Sequence, residues 1–358
     1  MFKLCSTTFF VVYLLTISST TFAKIWRVNN NSGIAADFTT LTNAHNGAAA
    51  GDTLHVEGSP NSYGSLTATK RLIIIGPGYY LSQNENTQAL KLTARVDGIT
   101  VNTGASGTQI MGMDFNGYSV SVFANDVVIK RNRFSSTNGA NMDWVAGLIN
   151  TYYTNNSSNL PANNIIISQN YGVRIDINYP STGVLITNNY LLYGTGYGDN
   201  TTGAALGMHA NAIAIIQNNV IRNGKLAINN SSFTNNIMVA GSFDGAGNLI
   251  SNNLASGTQF GTENNNRANV DMSSVFIGAG ANVSPDQQWR LKAGSPAIGA
   301  GFGSTAQNPV DAGMFSGHTP YVLAGLPPVP TIYFFENKPV GSDTDPITVT
   351  IKVKSVGN

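Results

Sequence analysis

The chain has 358 residues, of which 10% are charged and 42% hydrophobic, with 19 basic side chains against 18 acidic ones and a single cysteine. Ordinary globular domains carry roughly 25% charged residues; here Asn, Thr, Ser and Gly fill the gap. The near-neutral balance excludes a general nucleic-acid binder, which carries a basic excess. It also disfavours a long acidic polymer held by charge alone, and the apolar fraction is too high for disorder.

Residues 1–23 read as a secretion signal. Lys3 gives the positive start, Phe9 to Ile17 the apolar core, and Ala23 and Thr21 the small residues at a cleavage site. That apolar run is too short to span a bilayer, and no other run is long enough. The expected location is therefore extracellular or at the cell surface. Cys5 precedes the apolar core, so the chain from Lys24 onward has no cysteine and was not built around disulfides.

Lys24 to Asn30 reads as a first strand, and Asp37 to Ala50 as a short helix capped by Thr39 or Thr40. Leu41, Ala44 and Ala48 share one face of that helix. A stack of repeats leaves its terminal core open, and this helix is the expected N-terminal lid. Gly51-Asp52 ends it, and Thr53 to Glu57 alternates as a strand. Short apolar bursts closed by Gly or Asn follow: Leu72 to Ile75, Ile99 to Val101 and Ile110 to Phe115. No run between Gly51 and Ala300 has both the length and the period of a helix.

The middle of the chain repeats a phrase of one apolar residue, two polar residues and an asparagine. It reads Ile129-Lys-Arg-Asn132, Ile167-Ser-Gln-Asn170, Ile186-Thr-Asn-Asn189, Ile216-Gln-Asn-Asn219, Phe233-Thr-Asn-Asn236 and Ile250-Ser-Asn-Asn253. The asparagines are separated by 38, 19, 30, 17 and 17 residues. A period near 17–20 suits one coil of a parallel β-helix with three strands per coil, and the 38 then counts as two coils. Asn132, Asn170, Asn189, Asn219, Asn236 and Asn253 are expected to be a structural ladder. Each would turn the chain at positive φ and bond its amide to the next coil. The apolar residues on both sides of each would point inward.

The texture changes at Ser295 to Gly301. The expected organisation is a signal at 1–23, a β-helix domain with its cap at 24–317, and a C-terminal unit at 318–358. That unit is a proline-rich strap over Pro320 to Pro330 and a single amphipathic strand over Ile347 to Lys354. The strand needs a surface or a partner's edge to lie against.

Three stretches resemble the secreted bacterial right-handed parallel β-helix proteins of the pectate-lyase-like superfamily. Phe38 to Gly58 resembles their capping helix and first coil. The Asn-closed bursts from Ile129 to Leu254 resemble their coils. Gly294 to Gly301 with Asp311-Ala-Gly313 resembles their closing motif, with Gly299 where many members have Asp. The resemblance implies an all-β, right-handed parallel β-helix and says little of function, since one such fold hosts lyases, hydrolases, adhesins and inert spikes. The family's R-x-P-x-x-R, N-T-D, D-D and G-H-G patterns are missing from the sequence, as is its nonapeptide calcium repeat. No cofactor is expected; calcium has no motif to support it, and four dispersed histidines make a zinc site unexpected.

Chemistry is best sought in Val173-Arg-Ile-Asp-Ile-Asn178. Strand alternation turns Arg174, Asp176 and Asn178 outward. A cation could stabilise a uronate enolate while Asp176 takes the α-proton. Trp144, Tyr152, Tyr171, Tyr179, Tyr190 and Tyr193 surround this stretch and would make a shallow sugar-binding groove, walled by the excursion from Ser135 to Asn164. Lys130, Arg131 and Arg133 read as a solvated basic step.

Three functions remain. The first is a secreted protein that binds polysaccharide or a cell-surface glycan without a reaction. The second is a polysaccharide lyase or glycoside hydrolase acting on a plant or algal polysaccharide. The third is a structural or assembly protein whose final strand pairs with a protein partner.

Overall fold

The bursts of Val, Ile and Phe become strands, because branched side chains fit the pleat. The computed structural model describes residues 23–135, 147–151, 161–193, 203–337, 341, 344 and 346–355. The signal reading at 1–23 lies almost wholly outside them. Among the described residues no helix is long and apolar enough to cross a membrane.

The strands wind into coils with three faces. The first face is a ten-stranded parallel sheet running from Ile25–Val28 through Thr53–Val56 and eight further strands to Leu249–Ser251. The second face follows the asparagine corner and includes Arg133–Ser135, Tyr190–Leu192, Val220–Asn223 and Leu254–Ala255. The third includes Val120–Val122, Gly147–Asn150, Ala204–Met208 and Lys225–Ala227. The long strand Tyr171–Ile177 bends from the second face to the third: Tyr171 pairs with Arg133 and Tyr190, while Ile175 pairs with Ile149 and Leu206. Parallel crossovers are right-handed almost without exception. The chain is an all-β, right-handed parallel β-helix with three strands per coil.

The lumen is apolar along its length. Ile110, Ile129, Ile167, Ile186, Ile216 and Phe233 lie in register on successive coils, all fully buried. Each such side chain stabilises the fold by about 1.5–3 kcal/mol. The lid is shorter than the expected 37–50. It is helix α1, Leu41–Gly47, with the Thr40 side chain accepting from the Asn43 N–H. Phe38 is held in a bridge to Val28, and Ala48 is already extended, so the helix stops at both ends.

At the corner, two adjacent residues divide the work. Positive φ belongs not to the repeated asparagines but to the residue before each: Arg131, Gln169, Asn188, Asn218, Asn235 and Asn252. The asparagine then points inward. Asn132 Nδ2 donates to Asn170 Oδ1 at 3.2 Å, and the same bond joins Asn170 to Asn189, Asn189 to Asn219, Asn219 to Asn236 and Asn236 to Asn253 at 3.0–3.1 Å. Asn253 donates in turn to Asn266 at 3.0 Å. Each acceptor oxygen also takes the backbone N–H of the asparagine below, as at Asn189 and Asn219. Asn132 and Asn170 are bonded directly, so the 38-residue interval is one coil carrying a long insertion, not two coils. The 30-residue interval is likewise a single coil.

The residue after each asparagine packs outside the lumen, contrary to expectation. Tyr190, Val220, Ile237 and Leu254 belong to a second core with Val275, Phe276, Ala297, Ala312, Met314 and Tyr321. Regular coils end at Leu254–Ala255, well before Ser295. The chain then descends along the outside of the second face as an irregular segment, down to the strap at 320–326. The positive-φ residues clasp it. Asn252 Nδ2 donates to Ala300 O, Asn235 Oδ1 accepts from Phe302 N–H, and Asn188 Nδ2 donates to Met314 O and Ser316 O. Gln169 Nε2 reaches Thr319 O and Pro320 O, and Arg131 Nη1 reaches Leu326 O.

The last strand is not single. Val349–Lys354 pairs antiparallel with a second strand, Thr331–Asn337. Ala89 N–H donates to Ile332 O and ties this hairpin to the solenoid.

Candidate functional site

Two faces of the solenoid remain uncovered by the C-terminal segment, and Arg174 and Asp176 stand on one of them, the third. Val173, Ile175 and Ile177 fill the lumen while Arg174 and Asp176 point out. Arg174 Nη2 lies 2.7 Å from Asp176 Oδ2. The guanidinium carbon sits 5.5 Å from the centre of the Tyr193 ring, within cation–π reach. Arg174 Nε is buried without a hydrogen-bond partner. An unused buried donor is costly and calls for an acceptor from solvent or ligand.

The coil above supplies room rather than side chains. A Cβ on Gly203 would fall 1.8 Å from Tyr193 Cζ, so only glycine lets the ring settle there. A Cβ on Gly207 would fall 3.0 Å from Asp176 Oδ1. Gly203 and Gly207 therefore let the Tyr193 ring and the Asp176 carboxylate lie close against the coil above, and Arg174, Asp176 and Tyr193 together form the third-face site. Lys225 follows Ala204 in register and pairs with Asp244 at 2.6 Å. Asn178 is exposed and Tyr179 half-buried at the end of the same strand. The segments 136–146 and 152–160 flank the strand Gly147–Asn150, and 194–202 leads toward Ala204; all lie outside the described residues.

The aromatic groove is not assembled as expected. Tyr171 and Tyr190 do point outward and stack at 4.7 Å, but the C-terminal segment covers them. Tyr190 is 2% exposed and packs on Trp289, and the Tyr171 hydroxyl donates to Pro285 O. Burial holds the Tyr171 phenol well above its ordinary range. These two rings are core, not sugar platforms. Trp144 and Tyr152, with the outer part of the excursion from Ser135, lie outside the described residues; within that excursion Gly147–Asn150 is a third-face strand. Tyr193 stays with Arg174.

The basic step is also different from its reading. Arg131 is fully buried with Nε on Gln169 Oε1, and burial lowers its pKa. Arg133 grips the buried Asp114 through two bonds of 2.8 Å. Neither is free to meet an anion. Among the described residues no cluster of three or more His, Cys, Asp or Glu side chains could hold a metal.

The signal for Arg174 and Asp176 was strand alternation alone. The partners the sequence reading missed are Gly203 and Gly207. A small residue opposite a large one shows where the large one is seated only once the coil register is known.

No protein-family model and no curated protein sequence matches this chain. Among solved structures it is similar to one described as the crystal structure of pectate lyase Pel9A, at 14% identity and a TM-score of 0.35, over 82% of this chain and 96% of that one.

Proposed function

We propose that the protein binds an extracellular polysaccharide at the third-face site, and that binding rather than bond cleavage is its activity. The observation that carries this reading is Arg174: its guanidinium lies over Tyr193, ion-paired to Asp176, with Nε buried and unpartnered. Such a donor suits a sugar hydroxyl or carboxylate, and a ring on Tyr193 suits the C–H face of a pyranose. The uncharged, amide-rich surface supports a hydroxyl-rich partner outside the cell.

Among the described residues of this row, distance disfavours a glycoside hydrolase. From Asp176 the register passes Gly207 and Ala227 before reaching Asp244. Three strand spacings are about 14 Å. Paired carboxylates in glycosidases stand about 5–9.5 Å apart. A lyase is the second reading, favoured by one observation: a cation and a carboxylate two residues apart on one open face. There Arg174 would neutralise a uronate and Asp176 would take the proton at its α-carbon.

A glycan array with the chain from Lys24 onward tests both readings, together with ultraviolet detection of unsaturated uronate products. Binding without product, lost in Arg174→Ala, supports the first reading. Product lost in Arg174→Ala and Asp176→Ala supports the second. Binding or product indifferent to both variants removes the third-face site from the account.

A further inference from the structure

The first face carries a separate site where it meets the descending C-terminal segment. The clasp that holds this segment is interrupted at one corner. Asn188, Asn235 and Asn252 each spend a side-chain amide on it, but Asn218 Oδ1 is buried with no partner. Gly317 lies against Asn218 Nδ2, where a Cβ would fall at 2.6 Å. Beside this gap opens a groove of about 890 Å³ that Asn218 lines.

Its floor is two rows in strand register. Ile215, Ser232 and Leu249 form one row, and Gln217, Thr234 and Ser251 form the other. Phe302 and Pro309 wall it from the segment's side. The apolar members are unusually open for their size: Leu249 is 76% exposed, Phe302 69% and Ile215 52%. The charged and titratable lining groups are Asp311 and His318 alone, and Asp311 Oδ1 already accepts from Gly299 N–H at 2.9 Å. The Ile215 row continues below the groove through Leu185, Ile166, Val128 and, beyond Gln109, Ile73, all in register and part-exposed. Lys130 is the one cation facing outward on the strands from Ile73–Ile75 to Leu249–Ser251.

We infer that this groove binds a neutral, extended polysaccharide lying along the solenoid axis, with the aliphatic row as a rail for successive sugar units. A neutral sugar chain offers apolar C–H faces to the rail and Phe302, and hydroxyls to Gln217, Thr234, Ser251 and the vacant Asn218 acceptor. A polyuronate would meet no arginine or lysine in the groove. A peptide would find a single first-face edge in the groove, Leu249–Ser251, and there the Ile250 carbonyl already accepts from Asn264 and Asn266. Coils recur every ~4.8 Å, so a long polymer meets the same rows repeatedly. The groove is independent of the third-face site.

The test is calorimetric titration of the full chain with neutral β-1,4-linked gluco- and manno-oligosaccharides of rising length, and with polygalacturonate. Affinity for one neutral series should climb with length. Phe302→Ala and Asn218→Gly should weaken every length by about tenfold or more, with unchanged melting temperature. Leu185→Asn, outside the groove, should weaken only the longer chains. Arg174→Ala should change nothing. Absence of binding to either neutral series overturns the inference. So does neutral binding that Arg174→Ala abolishes and Phe302→Ala spares, or tighter Phe302-dependent binding of polygalacturonate. A concentration-dependent dimer lost in Phe302→Ala would assign the groove to a second copy instead.

Discussion

Two columns of side chains stand next to each other at one corner of the solenoid and do opposite jobs. The inward asparagines, Asn132 to Asn253, bond coil to coil and never meet the surface. Their immediate predecessors, Arg131 to Asn252, turn out at positive φ, and all but Asn218 hold the returning C-terminal segment. The inward column is chemically uniform because a single geometry repeats. The outward column mixes Arg, Gln and Asn, because any side chain with a donor or acceptor of sufficient reach can bond the segment's backbone. Uniformity marks the coil, and variety marks the clasp.

The comparison yields a ranked set of outcomes. Asn219→Ala should be the most damaging. It strands the Asn189 N–H groups and the Ile186 carbonyl in a dry lumen, at about 3–5 kcal/mol in urea unfolding. A loss under 1 kcal/mol would mean the amide column is ornamental.

Alkaline pH should strike the clasp side next. Burial raises the phenols of Tyr79, Tyr171 and Tyr321 well above their ordinary value, and Tyr80 to about 12. A phenol with a raised folded pKa favours the fold while it is neutral. That stability is complete below about pH 10 and is lost as pH climbs toward 12 and beyond. For Tyr80 the loss amounts to ~2–3 kcal/mol. Near-ultraviolet circular dichroism should change in that window before far-ultraviolet signal does. Simultaneous loss would show that strap and coils melt as one.

Asn188→Gly keeps the left-handed backbone and removes two bonds to the segment, at about 1–2 kcal/mol. Asn218→Gly makes the same change where no clasp bond exists and should cost under about 0.5 kcal/mol. Equal costs would erase the distinction between a working and a vacant clasp. Leu185→Asn, on the open first face, should fall within about 0.5 kcal/mol of wild type.

The coil was legible in the sequence because two signals coincide: an inward Ile three residues before an inward Asn. Where one fails, the reading fails. Asn266 ends the amide column but is preceded by Glu263 rather than an apolar residue, so it passed unnoticed. The 38-residue interval misled because spacing does not separate a second coil from an insertion. The groove reading put Tyr171 and Tyr190 outward while the corner pattern turned the residue after each asparagine inward, and neither carries information about what lies over them. Their cover, Pro285, Trp289 and Tyr321, comes from about a hundred positions or more later, and nothing in the local pattern announces the contact. The same blindness hid the third-face glycines, since Gly203 and Gly207 acquire meaning only beside Tyr193 and Asp176.

Hydroxyl-radical footprinting read by mass spectrometry measures cover and openness in a single run. The account predicts heavy oxidation of Leu249 and Phe302 and near-silence at Tyr171, Tyr190 and Tyr321 in the wild type, with Tyr171 and Tyr190 rising selectively in Asn188→Gly. Strong labelling of Tyr171 and Tyr190 in the wild type, or protection of Leu249 and Phe302 in the free monomer, would contradict it.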